Sequence, residues 1–380
     1  MNFELNETHR MIQETARQFA HEELAPSADE RDEKELFPHE QIKKLGELGF
    51  MGMMVPEEYG GAGLDTVSYV IAMEEISKVD ASCGVIMSVN NSLVCYGLTK
   101  HGTEEQKKKF LVPLATGKKL GAFALSEPEA GSDATNQHTT AVRDGDHYIL
   151  NGIKNWITNG VNADYIIVIA QTDPSKGHKG ISAFIVEKGM PGFSHGKKER
   201  KLGIRSSDTV SLTFDNIRVP KKNMIGEEGF GFKFAMMTLE GGRIGIASQA
   251  LGIAQGCLDA ALNYSKQRKA FGKPISELQI IQFKLADMAT DIEAARLLTY
   301  QAAILKEAGL PYAKQAAMAK LWASKTAVKC ALEAIQVHGG YGYVREYNVE
   351  RYLRDAKITE IYEGTSEIQH IVISRALLKD

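Results

Sequence analysis

Apolar residues recur at helical spacing in the first and the last part of the chain. From Glu4 to about Ala115 they return every three or four residues, as in Val67 to Val79, which is the period of a one-faced helix. The same spacing returns from Gly229 onward, in pieces such as Met236 to Ala270 and Ile275 to Ala308. These two pieces are long enough to pair as a hairpin of a helical bundle. Both regions are therefore predicted to be helical domains.

A third long helix is predicted after Leu310. Pro311 stands where a proline suits the first helical position. The apolar stripe that this helix would bury is predicted to comprise Met318, Leu321, Trp322, Val328, Leu332 and Ile335.

Between about Leu120 and Val219 the pattern is that of β-strands. Asp144-Gly145 separates two strand-like runs as a hairpin turn does, and Tyr165 to Ala170 is an apolar run typical of a buried strand. Because the strands form one block instead of alternating with helices, an α+β class is favoured over a doubly wound α/β sheet. The predicted domains, with β-structure confined to the second, are residues 1–118, 119–228 and 229–380.

Composition and charge exclude several classes of function. A chain of 380 residues exceeds one ordinary hydrophobic core, and its 43% hydrophobic and 24% charged residues are a globular balance. The net charge of −3, without a long block of one sign, argues against nucleic acid or an anionic membrane as a partner. The longest aliphatic run, Ile166 to Ala170, is far shorter than the roughly 20 residues that span a bilayer. No nucleic-acid binding and no membrane insertion are therefore expected.

The N-terminus and the cysteines indicate the compartment. Met1 to Ala20 alternates charged and apolar residues in helical fashion, which does not fit a secretory signal peptide. The cysteines are scattered without a C-x-x-C pair, which argues against a disulfide framework and against zinc: Cys83, Cys95, Cys257 and Cys330. A cytoplasmic protein without a metal site is therefore expected.

Glu363 is the most informative candidate for chemistry. It lies in the run I-Y-E-G-T-S-E-I-Q, where Ser366 and Gln369 have the spacing of a capping box and predict a helix start. Gly364 has no Cβ, so backbone N–H groups can approach a ligand closely there. A carboxylate on such a turn suits a base for a buried substrate, whereas a glutamate beside a helix cap is on its own usually solvated.

Common cofactor and nucleophile motifs do not occur in the sequence. No G-x-G-x-x-G follows a predicted strand, and neither a P-loop nor a G-x-S-x-G elbow is present. What remains is a set of irregular segments rich in small polar residues: residues 123–133, 156–160, 268–272 and 336–342. Each segment alone has a simpler structural explanation. Trp156 is typical of a core, Gln279 completes a capping box with Ser276, and His338 suits a helix end.

Together and in this order, these segments resemble the acyl-CoA dehydrogenase family. The matching motifs are L-S-E-P…G-S-D, W-I-T-N-G, Q-R-x-A-F-G, Q-x-x-G-G-Y-G and I-Y-E-G-T-S-E-I-Q, spread over more than 200 residues. The resemblance runs from the N-terminal helix to Ala376. It implies an all-α N-terminal domain, a central β-barrel-like domain and a C-terminal four-helix bundle. It also implies one FAD per subunit and a homotetramer built as a dimer of dimers.

By this resemblance Glu363 is the general base that removes an α-proton from an acyl-CoA thioester, while a hydride passes from the β-carbon to FAD. The product is a trans-2-enoyl-CoA, and the electrons pass on to an electron-transferring flavoprotein. Burial raises the pKa of a glutamate because desolvation disfavours its charge, and hydrogen bonds to the thioester oxygen stabilise the enolate. Substrate contacts are implied for Ser132, Glu240, Arg243, Tyr362 and Gly364.

The resemblance also implies which residues contact FAD. Those lining the flavin, with hydroxyls donating to its polar edge, are Phe123, Leu125, Ser126, Ser132, Trp156, Ile157 and Thr158. Thr365 and Glu367, at the start of the last helix, are implied to meet the diphosphate and ribose region. The FAD of a neighbouring subunit is implied to contact Arg268, Phe271, Gln279, Gln336, Val337, Gly339 and Gly340.

Departures from the family pattern narrow the subfamily. Some branched-chain and long-chain members carry the base at the position aligned with Gly242, which has no side chain. Members that act on glutaryl-CoA place an arginine at the position aligned with Gly84. His370 stands where many relatives have an arginine after the final Ile-Gln. The run from Gly241 to Ala247 is most similar to short-chain, butyryl-CoA-type members.

Alternatives stay open beside a short-chain dehydrogenase. The same site would serve an enoyl-CoA reductase or an oxygen-using oxidase, because the electron acceptor sets the direction. A helical assembly protein that binds FAD or acyl-CoA without chemistry is disfavoured by the intact Glu363 and FAD segments. Bleaching of the flavin spectrum by butyryl-CoA would separate a catalyst from a binding protein.

Overall fold

The computed structural model describes residues 4–379. The outermost positions of the predicted first and third domains, residues 1–3 and 380, lie outside that range. Within it the α+β prediction is confirmed, because one block of β-strands lies between two helical regions. The helices of the first region are α1 (Glu7–Phe19), α2 (Ala28–Lys34), α3 (His39–Glu47), α4 (Thr66–Val79), α5 (Ala81–Ser88), α6 (Tyr96–His101), α7 (Glu104–Gln106) and α8 (Val112–Ala115).

Helix α4 lies at the centre of the first region. Asp65 caps its N-terminus by accepting a hydrogen bond from the Ser68 backbone N–H at 2.7 Å. The prediction of a one-faced helix over Val67 to Val79 is wrong, because nearly the whole helix is buried, Glu74 and Ser77 included. Helices from both ends of the chain pack around α4 and leave it without a solvent face.

A continuous helical stretch from Ala81 to His101 joins α5 to α6 through a π-helical segment, Val89–Cys95. Within residues 4–379 it is the one stretch long and apolar enough to cross a membrane, but 94% of its most apolar window is buried inside the protein. Such burial is typical of a core helix. Asn90 and Asn91 in the π segment donate to the backbone carbonyls of Met51 and Phe50 in the loop between α3 and α4, each at 2.8 Å, and fix the segment in place.

The second region is an eight-stranded sheet in the order β6-β7-β3-β2-β4-β5-β8, with β1 beside β4. Its strands are β1 (Gly121–Ala124), β2 (Thr140–Asp144), β3 (His147–Thr158), β4 (Tyr165–Gln171), β5 (Ile181–Glu187), β6 (Phe193–His195), β7 (Thr209–Pro220) and β8 (Met224–Ile225). The β1–β4 and β2–β4 pairs are parallel, and the other pairs are antiparallel. The predicted hairpin is confirmed, because Asp144 pairs with His147 and Gly145 has a φ of 60°.

Strand β4 is buried on both faces. Ile167 and Ile169 belong to the core shared with the helices, whereas Ile166 and Val168 belong to a separate core enclosed by the strands. Because side chains alternate along a strand, a strand between two cores is apolar at successive positions. This explains the unbroken apolar run that predicts β4, and it shows that one face of the sheet encloses a core of its own.

The third region contains three long and two short helices. They are α9 (Gly231–Gln267), α10 (Gln279–Glu307), α11 (Ala313–His338), α12 (Val349–Thr359) and α13 (Ser366–Leu377), with short strands β9 (Lys269–Ala270) and β10 (Lys273–Pro274) between α9 and α10. The long helices pack against one another, and α12 and α13 pack against α11. The predicted helical bundle is confirmed, with two short helices in place of a fourth long one. Pro311 precedes the N-cap Tyr312, so its predicted place inside the helix is wrong.

Helix α11 buries a face of small residues instead of the predicted stripe. The buried positions include Ala316, Ala323 and Ala327, while Trp322 is 44% exposed and Leu332 is 52% exposed. The prediction that these large apolar residues form the buried face of α11 is therefore wrong within a single chain. Small side chains allow α9 and α11 to approach closely, so the large apolar residues remain on the outer surface.

Candidate active site

Glu363 lies on the turn between α12 and α13 in a left-handed backbone conformation. Its φ of 52° is uncommon for a residue with a Cβ, and Gly364 follows with a φ of 92°. Two buried side chains hold this turn. The Gly364 carbonyl accepts hydrogen bonds from Lys320 Nζ at 2.7 Å and from Gln369 Nε2 at 2.8 Å. Non-glycine residues held in such conformations cluster at functional sites.

Helix α13 begins directly after this turn. Its N-cap is Thr365, whose hydroxyl accepts a hydrogen bond from the Ile368 backbone N–H at 3.4 Å. The predicted capping box of Ser366 and Gln369 is therefore wrong, because the cap lies one residue earlier and Gln369 binds the turn. Glu367 is exposed in the first turn of the helix.

The glycine at position 242 of α9 makes room for the Glu363 carboxylate. A Cβ at Gly242 would overlap Glu363 Oε2 and would lie 2.8 Å from Leu93 Cδ2. Leu93 belongs to the π-helical segment, and π-helical turns are frequent at functional sites. The carboxylate is therefore held between the backbone of α9 and an apolar side chain.

The electrostatics of Glu363 suit a base near neutral pH. Its Oε2 is buried and has no hydrogen-bond partner among residues 4–379. Burial raises the pKa of Glu363 to about 7, because desolvation penalises the charged form, and the charges of Lys320 and Arg243 oppose that rise. A carboxyl group with such a pKa exists in both protonation states near neutrality, which is what general base catalysis requires.

Lys320 was not among the residues predicted for this site. It is fully buried on α11, burial lowers its pKa to about 8, and the Glu363 carboxylate opposes that change. A signal for it exists in the sequence, since Lys320 falls in helical register with Ala316, Ala323 and Ala327. A lysine on a face of small residues indicates a buried charge, which is rare without a specific partner.

Arg243 and Tyr362, two of the predicted substrate residues, lie beside Glu363. Arg243 is buried on α9, and its Nε has no hydrogen-bond partner within residues 4–379. Burial lowers the pKa of Arg243, and the carboxylates of Glu240 and Glu363 oppose this. The Tyr362 hydroxyl donates to the Gln249 side-chain carbonyl. A charged group with an unpartnered donor thus lies beside Glu363.

The residues predicted to line the flavin come together at the ends of β1 and β3. The Asn155 backbone N–H donates to the Ser126 carbonyl at 2.9 Å, which places Ser126 next to the following residues of β3. Trp156 has a φ of 62° and is 64% exposed. Among the described residues the hydroxyls of Ser126 and Thr158 have no hydrogen-bond partner. We call this surface, residues 125–126 and 156–158, the aromatic wall.

A buried ion pair, also not predicted, supports the aromatic wall. Lys154 Nζ lies 2.7 Å from Glu127 Oε1 and 2.9 Å from the Leu125 carbonyl oxygen. Burial lowers the pKa of Lys154 to about 8, and Glu127 opposes that change. Glu127 also accepts the backbone N–H groups of His138 and Thr139, so one carboxylate holds both ends of the intervening loop. The sequence offers one signal for this ion pair, because Lys154 stands at a position of β3 whose side chain is buried.

The other residues predicted near the flavin differ in exposure. Phe123 on β1 and Ile157 within the aromatic wall are both buried. Ser132 is exposed on the loop that Glu127 holds. The structure therefore places Ser132 on a different element from the α9 residues predicted with it as substrate contacts.

Residues predicted to serve a neighbouring subunit's FAD lie at a second place, where α9, α10 and α11 meet. A pocket of about 650 Å³ is lined by Arg268, Val337, Gly339 and Gly340, among others, and we call it the arginine pocket. The Arg268 guanidinium lies 5.4 Å from the ring centroid of Tyr341. A Cβ at either glycine would meet open space, so the backbone there is accessible to a ligand.

Phe271, Gln279 and Gln336 lie near this pocket without being among its lining residues. Phe271 is 91% exposed with a φ of 53°. Gln279 is the first residue of α10, whose N-cap has no side-chain hydrogen bond. The predicted capping box with Ser276 is therefore wrong, and the Ser276 carbonyl accepts from Gln282 Nε2 at 3.0 Å instead.

The chemistry available at Glu363 is proton abstraction by a partly desolvated carboxylate beside the positive charges of Lys320 and Arg243. Within the described residues no group of three or more His, Cys, Asp or Glu side chains is placed to hold a metal ion. The exposed tryptophan and free hydroxyls of the aromatic wall suit a flat, polar-edged ring system. The arginine pocket suits an anion such as a diphosphate.

Family models match most of the chain. The acyl-CoA dehydrogenase N-terminal domain matches residues 6–118, the middle domain matches residues 122–217 and the C-terminal domain matches residues 229–378.

Individual proteins match over the full length. The short-chain specific acyl-CoA dehydrogenase of Clostridium acetobutylicum is 54% identical over 379 residues, covering 100% of each chain. The structure of butyryl-CoA dehydrogenase from Megasphaera elsdenii superposes with a TM-score of 0.98 at 52% identity, covering 100% of each chain. A chain in the structure of the electron transferring flavoprotein of Acidaminococcus fermentans superposes with a TM-score of 0.99 at 55% identity, again with full coverage. The chain therefore belongs to the acyl-CoA dehydrogenase family.

Proposed function

We propose that this protein is an FAD-dependent dehydrogenase that converts short-chain acyl-CoA thioesters to trans-2-enoyl-CoA, with Glu363 as the base. The observation that carries the proposal is the Glu363 carboxyl group, whose Oε2 is buried and has no hydrogen-bond partner among residues 4–379. An α-proton of a thioester is far less acidic than a carboxylic acid of pKa about 4.3. Burial that raises the pKa of Glu363 to about 7 narrows this difference.

The backbone of the same turn supplies donors for the developing negative charge. Within the described residues the backbone N–H groups of Glu363, Gly364 and Thr365 have no hydrogen-bond partner. A free N–H at the base suits the thioester oxygen, which becomes more negative as the α-proton leaves. Glu363 would hold that proton on a carboxylate oxygen facing the gap at Gly242.

The aromatic wall and the arginine pocket fit FAD. Trp156 offers an exposed ring, and Ser126 and Thr158 offer unused hydroxyl donors. Arg268 pairs with a diphosphate in forked geometry, while Gly340 leaves space for close backbone approach. FAD, when bound, supplies the acceptor for the two electrons removed from the substrate. Thr365 and Glu367, at the N-terminus of α13, remain proposed contacts of its diphosphate and ribose.

Short acyl chains are proposed from the packing around the base. Leu93 adjoins the gap at Gly242 and offers an apolar contact close to the reacting carbons. A Cβ at Gly84 would overlap the Ser77 hydroxyl, so an arginine for a second carboxylate does not fit there. The names of the Clostridium acetobutylicum and Megasphaera elsdenii relatives, which specify short-chain and butyryl-CoA substrates, support the same class.

The proposed partner is an electron-transferring flavoprotein, and the proposed assembly is a homotetramer formed as a dimer of dimers. The full-length match to a chain in an electron transferring flavoprotein structure supports the first. Large exposed side chains on α10 and α11 support the second, including Phe283 at 55%, Ile304 at 53% and Leu332 at 52% exposure. A cytoplasmic location is proposed from the buried free thiols, which suit a reducing compartment.

Anaerobic mixing of the FAD-loaded protein with acyl-CoAs tests this function. Straight chains from about four to about sixteen carbons are compared with isovaleryl-CoA and glutaryl-CoA. Each methylene of the acyl chain that is buried beside Glu363 contributes roughly 0.8 kcal/mol to the binding free energy. Each methylene beyond the end of that apolar space costs about 1–3 kcal/mol, because packed side chains must move. We therefore expect the flavin absorbance to bleach with a maximum of kcat/KM near four to six carbons, followed by a steep fall.

Two outcomes would contradict parts of the proposal. No bleaching with any acyl-CoA would remove the dehydrogenase function. A maximum at about eight carbons or beyond, or a preference for isovaleryl-CoA or glutaryl-CoA, would contradict the short-chain assignment and leave Glu363 as the base.

A further inference from the structure

We propose that Lys320 is a positioning residue of this reaction, which holds the Glu363–Gly364 turn and supplies the positive charge that keeps the Glu363 carboxylate ionised. The inference rests on the proposed function of Glu363 as the base. Lys320 belongs to none of the motifs that identify the family in this sequence.

The burial of Lys320 calls for a specific partner. Its side chain is fully buried on α11, and its one hydrogen bond within residues 4–379 joins Nζ to the Gly364 carbonyl at 2.7 Å. A buried charge without a partner costs several kcal/mol, so a lysine at this position is not explained by packing. The partner is the turn itself, because the same carbonyl lies one residue from the base.

The hydrogen bond constrains the base through the backbone. Glu363 has a φ of 52° and Gly364 a φ of 92°, so two successive residues of the turn have positive φ, and the carbonyl that Lys320 binds directly follows them. Gln369 donates to the same carbonyl at 2.8 Å from the other side. Lys320 and Gln369 thus fix the carbonyl from α11 and α13, and the Glu363 side chain is directed into the gap at Gly242.

The charged groups around this turn come from four elements. Lys320 faces Glu363 on the turn, Arg243 on α9, Glu360 after α12 and Glu367 on α13. Glu363 itself faces the cations of Lys320 and Arg243, and the phenols of Tyr69 and Tyr362 lie beside it. Arginine stays charged across the working pH range, whereas a buried lysine can titrate.

The sign of the effect follows from these charges. A positive charge favours the ionised carboxylate and lowers its pKa, so loss of the charge raises the pKa of Glu363 further above its ordinary value. Only the ionised carboxylate accepts the α-proton. The acid limb of the rate against pH therefore moves to higher pH when Lys320 is neutralised.

The test compares FAD-loaded variants by anaerobic rapid mixing with butyryl-CoA across a range of pH. Lys320→Met removes charge and donor, Lys320→Gln removes the charge and keeps a donor for Gly364, and Lys320→Arg keeps the charge. Lys329→Met is the matched control, since Lys329 lies on the same helix and pairs with Asp291 at 2.6 Å on the surface. The maximum rate, its pH midpoint and KM are measured for each.

We expect the acid midpoint to rise by about one pH unit in Lys320→Met and Lys320→Gln, so that the rate about one unit below the wild-type midpoint falls roughly tenfold. Lys320→Arg and Lys329→Met should keep the wild-type midpoint. KM should change little, because Lys320 is fully buried and its one hydrogen bond within residues 4–379 goes to the Gly364 carbonyl. If Lys320→Met fails to retain FAD, Lys320→Gln alone decides the question.

An unchanged midpoint with a uniform loss of rate at every pH would show a merely structural role and overturn the inference. A shift of the acid midpoint of the same size in Lys329→Met would also overturn the inference, because a surface lysine far from the turn would then have the same effect as the buried Lys320. An inactive wild-type protein at every pH would instead contradict the proposed function of Glu363, so the two failures are distinguishable.

Discussion

The Glu363 turn and the arginine pocket differ in how completely one chain builds them. The turn is held by Lys320 from α11 and by Gln369 from its own helix α13, and the Glu363 carboxylate lies in a gap left by Gly242. The arginine pocket has open space beside its glycines, and Phe271 next to it is 91% exposed. One region is enclosed and charged, while the other is open and aromatic.

The difference indicates which part of the chemistry one subunit performs alone. A base needs an exact neighbourhood of charges, because its pKa depends on them, and Glu363 has that neighbourhood within one chain. A large exposed aromatic side chain such as Phe271 suits burial against something outside the chain. The proposed occupant is the outer part of a cofactor held mainly by a second copy.

Moving the carboxylate within the enclosed region should have the largest effect. Glu363→Gly should abolish flavin reduction, because among the described residues Glu363 is the carboxylate that lies in the gap at Gly242. Adding Gly242→Glu should restore measurable activity, since a side chain at 242 points at the space that the Glu363 carboxylate occupies. The measurement is the rate of flavin reduction by butyryl-CoA in the single and double variants.

Gly242→Glu alone is the control for this exchange. Its Cβ would overlap Glu363 Oε2, so this variant should be overpacked and poorly active. Equal activity of the double variant and Glu363→Gly would contradict the view that positions 242 and 363 share one gap. Leu93 must move for the exchange, because a Cβ at Gly242 would lie 2.8 Å from Leu93 Cδ2.

Changing the open region should have a smaller effect, on the cofactor and on assembly. Arg268→Ala should weaken FAD binding by about ten- to a hundredfold, since hydrogen bonds to charged groups contribute roughly 1.5–3 kcal/mol. Because a ligand that bridges subunits stabilises the assembly, the oligomer should dissociate at low FAD and re-form when FAD is added. FAD titration and sedimentation with and without FAD measure both effects.

Two companion variants sharpen this result. Arg268→Lys keeps the charge and loses the forked geometry, so it should bind FAD with intermediate affinity. Arg143→Ala, at an exposed position of β2, should leave FAD binding and assembly unchanged. A fully loaded oligomer of Arg268→Ala would remove the role of Arg268. Weak FAD binding in an intact oligomer would place its contact within its own subunit.

The parts of the fold that follow from local pattern were predictable. The block of strands, the hairpin at Asp144-Gly145 and the long C-terminal helices each carry their own periodicity. The buried face of α11 was not predictable from hydrophobicity, because small residues pack there and Trp322 lies outside. The burial of α4 depends on partners from distant parts of the chain, which local spacing does not reveal.

The site divides in the same way. The sequence around Glu363 indicates a base on a turn before a helix, and the structure has that turn. It does not indicate Lys320 or Lys154, because lysine is usually exposed and only packing shows that these two are buried. The sequence predicts the N-cap of α13 one residue late, because Thr365 and Ser366 both carry hydroxyls and the backbone conformation at Glu363 decides between them.

The most direct test of the account is the rate of flavin reduction by butyryl-CoA in Glu363→Gln. The amide keeps the shape of the side chain, so folding, FAD content and ligand binding should match the wild type. The rate should fall by about 10⁴-fold or more, at or beyond the upper end for one acid–base group, because no other group is placed to take the proton. A rate within about tenfold of the wild type, in a variant that retains FAD, would contradict Glu363 as the base.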